Sequence, residues 1–162
     1  MNKDGIIETI DKVGDFSKLI EDLLIRMGLK NVIRLSDNLI EATQETALKN
    51  QKIFFIVTLS ELNGKVVAID ERIKNIRFKY DQLYVVTSNG KLSKYFKDWL
   101  NGENQNTVIE YWNKVKVIDN IDIYYEDFWS HNDTFLKPYE ISFNDSLQED
   151  KHLKSLLKLD DK

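Results

Sequence analysis

The chain has 162 residues, carries 27 acidic against 23 basic residues and contains no cysteine. That length is enough for one hydrophobic core and one domain, and the lack of cysteine excludes disulfides, thiolate zinc sites and cysteine nucleophiles. With a net charge of −4, the chain lacks the overall basic character of many nucleic-acid-binding proteins, so any basic surface must be local.

The amino-terminal segment, MNKDGIIETIDK, has polar and acidic residues where a signal peptide needs an apolar run. No stretch approaches the roughly 20 apolar residues that span a bilayer. We therefore expect a cytoplasmic protein without a membrane partner, and the absence of cysteine fits a reducing compartment.

The clearest helix pattern begins after Asp15 and ends near Gly28. Asp15 is a suitable N-cap, and glycine is the commonest residue at the end of a helix. The apolar residues at helical spacing between them are Phe16, Leu19, Ile20, Leu23, Leu24 and Met27. The outer face carries charges, among them Glu21 and Asp22, and a solvated surface is the simplest interpretation of those charges.

Three strands are predicted after this helix. Asn31 to Leu35 forms the first, and residues 37–59 read as two further strands joined by a polar turn near residues 48–51. Side chains alternate along a strand, which places Glu41 on a polar face of the second strand. The third, Ile53 to Leu59, is almost wholly apolar, as expected of a strand buried on both faces.

From this third strand onward, strands and helices alternate. The predicted elements are a helix at Val66 to Tyr80, a strand at Gln82 to Thr87, a helix at Leu92 to Leu100 and a strand at Thr107 to Trp112. Such alternation produces parallel strands joined by helical crossovers. The predicted fold is therefore an α/β sandwich with a central mixed sheet flanked by helices.

The pattern is weaker beyond Trp112. Residues 115–118 fit either a strand or the start of a helix, and Pro138 lies in a stretch that reads as an irregular connection. Leucines recur at roughly helical spacing between residues 146 and 159. We therefore predict one α/β domain over residues 1–145 and a C-terminal helix over residues 146–162 that links to a further domain.

Two stretches resemble Mrr-like restriction endonucleases. Residues 16–28, FSKLIEDLLIRMG, are similar to the family's opening helix, with its phenylalanine, apolar pair, double leucine and terminal glycine. Residues 83–90, LYVVTSNG, resemble the family's strand that ends in threonine just before a helix. The order and spacing agree over roughly residues 12–112. The resemblance implies the PD-(D/E)xK nuclease fold, a restriction-endonuclease-like α/β sandwich.

The chemistry implied by this resemblance needs an acid on one strand, and an acid or glutamine followed two residues later by a lysine on the next. The acids bind a divalent metal and the lysine stabilises charge or orients the nucleophile. The resemblance places Glu41 at the metal-binding position. The next strand offers Val57 and Leu59 in one register, or Ile56 and Thr58 in the other. Neither pair supplies the required groups, so the catalytic motif is degenerate.

Active-site groups that have migrated to neighbouring positions are the alternative. The catalytic candidates are then Glu41 and Lys65, and the candidate metal ligands are Glu41, Glu61 and Asp22. A local basic face for DNA is carried by Lys74, Arg77, Lys91 and Lys94. The competing interpretation of each of these residues is an ordinary solvated charge.

The expected function is that of a catalytically inactive, Mrr-like module that binds DNA or assembles with other domains of a larger bacterial anti-phage defence protein. Such a module needs no cofactor, and self-association is a further expectation. One alternative is an active endodeoxyribonuclease with a rearranged site that uses Mg²⁺. The other is a protein-interaction domain without a DNA role, which the acidic balance of the chain favours.

Overall fold

The computed structural model describes residues 10, 15–58, 73, 76, 79–88, 94–104, 108–125 and 137–139. The elements are α1 (Phe16–Arg26), β1 (Lys30–Ser36), β2 (Leu39–Glu45), β3 (Asn50–Thr58), β4 (Gln82–Thr87), α2 (Lys94–Glu103), β5 (Ile109–Trp112) and α3 (Lys114–Tyr124). A short 3-10 turn covers Lys137–Tyr139. Most of the predicted helix at residues 66–80, and all of the one at 146–159, lie outside the described residues.

The five strands form one sheet in the order β1-β2-β3-β4-β5. Strands β1, β2 and β3 are antiparallel neighbours, whereas β3, β4 and β5 run parallel. Helices lie against the sheet, so the prediction of an α/β fold with a mixed sheet flanked by helices is confirmed.

Helix α1 begins and ends where the sequence predicts. The side chain of Asp15 accepts a hydrogen bond from the backbone N–H of Lys18 at 3.2 Å, which caps the first turn. Gly28 follows the helix with a φ of 94°, a conformation that costs little only for glycine. The apolar stripe of α1 is buried, which anchors the helix to one face of the sheet.

Strand β3 separates two apolar cores. Its side chains alternate, so Phe55 faces α1 and α3 while Phe54 faces the side covered by α2. Residues 53–58 are all buried, which confirms the prediction of a strand covered on both faces. Ile73 and Ile76 are fully buried in the same core as Phe54, although their neighbours in sequence lie outside the described residues.

Residues 115–118, where the sequence left strand and helix open, belong to helix α3. The side chain of Asn113 accepts a hydrogen bond from the backbone N–H of Lys116 at 2.9 Å and so caps the helix. Pro138 lies in the 3-10 turn that ends at Tyr139. The backbone N–H of Asp15 donates to the carbonyl of Tyr139 at 2.7 Å, which ties this turn to the start of α1.

Asp81 joins the starts of β3 and β4. Its carboxylate accepts the backbone N–H of Lys52 at 2.8 Å and the ammonium of Lys49 at 3.2 Å. Its own backbone N–H donates to the carbonyl of Lys52 at 2.7 Å. These contacts, the backbone hydrogen bond first, lower the pKa of Asp81 below its ordinary value.

Replacing Asp81 by asparagine is expected to lower the melting temperature at neutral pH. The variant's melting temperature should also fall less than that of the wild type as the pH is lowered. A depressed pKa means that the ionised form stabilises the fold above the ordinary value near 3.8, and that this stabilisation is lost as the pH falls through the folded-state pKa. Thermal melts between about pH 7 and pH 2 measure the effect. Glu45→Gln, at an exposed strand end, is the control. An unchanged acid dependence in Asp81→Asn would contradict this role.

Candidate functional site

Glu41 lies in the middle of β2, opposite Phe54 of β3. Its carboxylate accepts a hydrogen bond from the Tyr80 hydroxyl at 2.7 Å, and the ammonium of Lys52 lies 4.0 Å from the same oxygen. We call Glu41, Lys52 and Tyr80 the Glu41 cluster. With a side chain only 20% exposed, Glu41 is held by protein groups in a largely enclosed position.

The Glu41 cluster is built on an aromatic platform. The ring of Tyr80 packs on that of Phe54 with 4.7 Å between centroids, and Lys52 lies 5.3 Å above the Tyr80 ring. Sequence reasoning missed both partners of Glu41. Lys52 precedes Phe54 by two residues, so period-two alternation could have placed it on the same face. No spacing signal connects Tyr80 to Glu41.

The pairing of β2 with β3 determines which side chains of β3 lie on the same face of the sheet as Glu41. Because Glu41 is opposite Phe54 and Leu39 is opposite Ile56, the side chains of Ile56 and Thr58 share the face of Glu41. Both residues are 0% exposed. A hydrocarbon cannot bind hydrated Mg²⁺, which needs oxygen ligands. At positions 56 and 58, this face of β3 therefore supplies one neutral hydroxyl and no carboxylate.

Asp22, the predicted metal ligand on α1, lies on the other side of the sheet. Its carboxylate accepts the hydroxyl of Tyr139 at 2.7 Å and pairs with the ammonium of Lys18 at 3.1 Å. Burial, together with this hydrogen bond, raises the pKa of Tyr139. Helix α1 packs on the face that carries Ile40, whereas Glu41 points to the opposite face. The structure does not bring Asp22 and Glu41 together.

The remaining predicted residues divide into two groups. Glu61, Lys65, Lys74, Arg77 and Lys91 lie outside the described residues. Lys94 is described and lies exposed at the start of α2. Within the described ranges, no group of three or more histidine, aspartate or glutamate side chains could hold a metal ion.

The carboxyl ends of β3, β4 and β5 form an edge with polar and basic character. Thr58 is paired with Thr87 on the neighbouring strand, and both are buried. Lys94 and Lys116 are exposed near the starts of α2 and α3, the helices that connect to β4 and β5. Neither helix has an acidic residue in its first described turn. We call Lys94 and Lys116, with the strand ends between them, the carboxyl edge.

The other end of the parallel strands carries charges of both signs. Asp81 stands immediately before β4, and Glu45 ends β2 beside the start of β3. Lys49 lies at this end as well, paired with Asp81 at 3.2 Å. Lys49 is therefore neutralised by a carboxylate at this end, whereas Lys94 and Lys116 are exposed at the carboxyl edge.

Replacing Tyr80 by phenylalanine is expected to lower the free energy of unfolding by about 1–2 kcal/mol, because the half-buried carboxylate of Glu41 loses its hydrogen-bond donor. Urea denaturation measures the change. Tyr95→Phe removes the same hydroxyl from a side chain that is 67% exposed and serves as the control. Equal stability of the two variants would contradict the tie between Tyr80 and Glu41.

Comparison of the chain with protein-family models, curated proteins and solved structures finds no match. Among the described residues, no helix is long and apolar enough to cross a membrane. A function for this chain therefore has to be inferred from its own residues and fold.

Proposed function

We propose that this chain is a nuclease-fold domain, similar in design to Mrr-like restriction endonucleases, that binds the DNA backbone without cleaving it. The arrangement of a helix, three antiparallel strands and two further parallel strands supports the fold in this proposal. The similarity of the α1 and β4 sequences to those of Mrr-like endonucleases supports the proposed relationship to that family. The wider context that the resemblance suggests is a module of a larger bacterial anti-phage defence protein.

The side chains of β3 beside Glu41 support the proposed loss of catalysis. On the face of β3 beside Glu41, Ile56 and Thr58 occupy the positions where the family needs an acid or glutamine and a lysine, and both are fully buried. A metal ion at Glu41 would lack its second carboxylate and would displace the Tyr80 hydroxyl. The arrangement favours an enclosed, structural carboxylate over a metal ligand.

The carboxyl edge supports the binding role. DNA phosphates are held mainly by point cations and hydrogen-bond donors, and such contacts need no reading of base sequence. Lys94 and Lys116 are exposed at that edge, and they lie at the end of the sheet opposite Asp81 and Glu45. A local basic edge allows a protein of acidic overall charge to approach DNA in one orientation.

A titration of duplex DNA with the full chain tests this role. We expect binding at about 50 mM salt that weakens steeply by about 200 mM, because phosphate contacts release counterions. Lys94→Ala and Lys116→Ala should each weaken binding and reduce the slope of log K against log salt by about 1. Lys49→Ala, the same charge change at the opposite end of the sheet, is the matched control.

Two outcomes would overturn the binding role. The first is an absence of salt-sensitive binding at the lower salt concentration. The second is an equal loss of affinity in Lys49→Ala and in the two carboxyl-edge variants, since binding would then follow net charge and not a defined edge. Either outcome would favour a protein-interaction domain without a DNA role.

An active nuclease with a rearranged site is the second candidate, and the position of Lys52 is the observation in its favour. Lys52 lies 4.0 Å from Glu41, so a lysine does stand beside the acid, although it precedes the usual positions on β3. In such an enzyme Lys52 would stabilise developing charge next to a metal bound by Glu41. Loss of Mg²⁺-dependent cleavage in both Lys52→Ala and Glu41→Ala would establish it.

A further inference from the structure

We infer that two copies of this chain associate through β5, with the two strands antiparallel about a two-fold axis. Strand β5 ends the order of the sheet, and among the described residues its partner strand is β4 alone. An edge strand presents backbone N–H and C=O groups that can pair with another strand. Val108 and Tyr111, before and within the strand, are 75% and 38% exposed.

The two edges of the sheet differ in their ability to accept a strand. Strand β1 pairs with β2 through two register shifts, and Asn31 within β1 has a φ of 51°. Such irregularities twist an edge and prevent regular pairing. Strand β5 pairs with β4 in continuous register from Ile109 to Trp112. The regular edge is therefore β5.

The charges on and after β5 favour a second copy of the same chain. Glu110 is exposed near the start of the strand, and Lys114 follows the end of the strand after Asn113. In an antiparallel two-fold pair, the first half of one strand faces the second half of the other. With Tyr111 of both copies on the two-fold axis, each Glu110 lies diagonally across from Lys114 of the partner copy. An axis through Glu110 would instead place the two glutamates opposite each other, so the charges select the register centred on Tyr111.

Exposed apolar side chains at β5 also favour association with a second copy. Pairing at β5 would cover Val108 and Tyr111, and Lys97 already lies 5.2 Å above the Tyr111 ring. Because β5 has only four residues, the interface is small. We therefore expect a weak dimer in rapid exchange, visible as a rise in mean mass with protein concentration.

Sedimentation equilibrium over roughly a hundredfold range of concentration tests the inference. The wild-type chain should shift from monomer to dimer. Glu110→Lys and Lys114→Glu should each weaken association about fivefold or more, because each places like charges together. The double variant should recover most of the lost affinity, which a folding defect cannot explain. Lys30→Glu, on the opposite edge strand, should associate like the wild type.

Three results would overturn the inference: a monomer at every concentration, single variants that associate like the wild type, or a double variant that remains as weak as the single ones. If Lys30→Glu weakened self-association to the same extent, the interface would lie at β1, and β5 would be excluded. No DNA is present in this experiment, so its outcome is independent of whether the carboxyl edge binds DNA.

Discussion

Replacing Ile56 by aspartate is expected to lower the free energy of unfolding by about 3 kcal/mol or more, and to create no nuclease. Ile56 lies on the face of Glu41 and is 0% exposed. In the proposed nuclease fold it stands where the motif requires an acid or glutamine. It lies in the apolar core with Phe54 and Val85. A carboxyl group there would lose its hydration without gaining a cation, so restoring the motif's residue would not restore its chemistry. Urea denaturation measures the loss.

Ile56→Val is the matched control for this prediction. It removes one methylene from the same site and should cost about 1 kcal/mol. If Ile56→Asp costs no more than Ile56→Val, water reaches the site and the position next to Glu41 is open. That result would remove the physical reason for excluding a metal ion from this face of β3.

Replacing Asn104 by leucine is expected to lower the free energy of unfolding by about 2 kcal/mol. Asn104 is 2% exposed, and its side chain accepts the backbone N–H of Ile76 at 3.0 Å and donates to the carbonyl of Leu100 at 3.1 Å. It thereby connects the end of α2 to the buried segment at Ile76. Leucine has a similar size but would leave the Ile76 N–H buried without its acceptor.

Asn101→Ala, on an exposed position of the same helix, is the control for Asn104. It should change stability by no more than about 0.5 kcal/mol. The two variants can be compared in the same urea denaturation series. A loss of similar size in both would contradict the role of the buried hydrogen bond at Ile76, because alanine at position 101 removes no buried contact and favours the helix.

The elements that could be predicted from sequence are those whose signals are local. Helix α1 has a capping residue, an apolar stripe and a terminal glycine within residues 15–28, and β3 has an uninterrupted apolar run. The sequence did not decide between a strand and a helix at the start of α3, because its first turn is rich in valine, a residue that favours strands. The capping side chain of Asn113 was the local signal that could have decided for a helix.

The candidate site was predictable only in part, because its geometry depends on contacts between distant residues. Alternation placed Glu41 on a polar face, but it could not choose between the two registers of β3, which the pairing of Glu41 with Phe54 determines. Tyr80 is 39 positions from Glu41, and no sequence period links them. Asp22 and Glu41 both lie on predicted elements, yet only the packing of α1 reveals that they occupy opposite faces.

The basic edge illustrates the same limit. Lys94 could be predicted from the sequence because it lies on a helix predicted to flank β4. Lys116 was not predicted as part of a basic surface, because the sequence did not assign residues 115–118 to a helix. Parallel pairing of β4 with β5 places the starts of α2 and α3 at the same end of the sheet, on its two opposite faces. The two lysines therefore lie at one end of the sheet.

We propose that this domain binds DNA without cleaving it, and a cleavage assay tests that proposal directly. Plasmid and linear DNA are incubated with the purified chain in Mg²⁺ or Mn²⁺, beside Glu41→Ala and Lys65→Ala variants. We predict that the wild-type chain leaves both substrates intact, as the variants do. Metal-dependent cleavage by the wild-type chain that disappears in Glu41→Ala would contradict the claim.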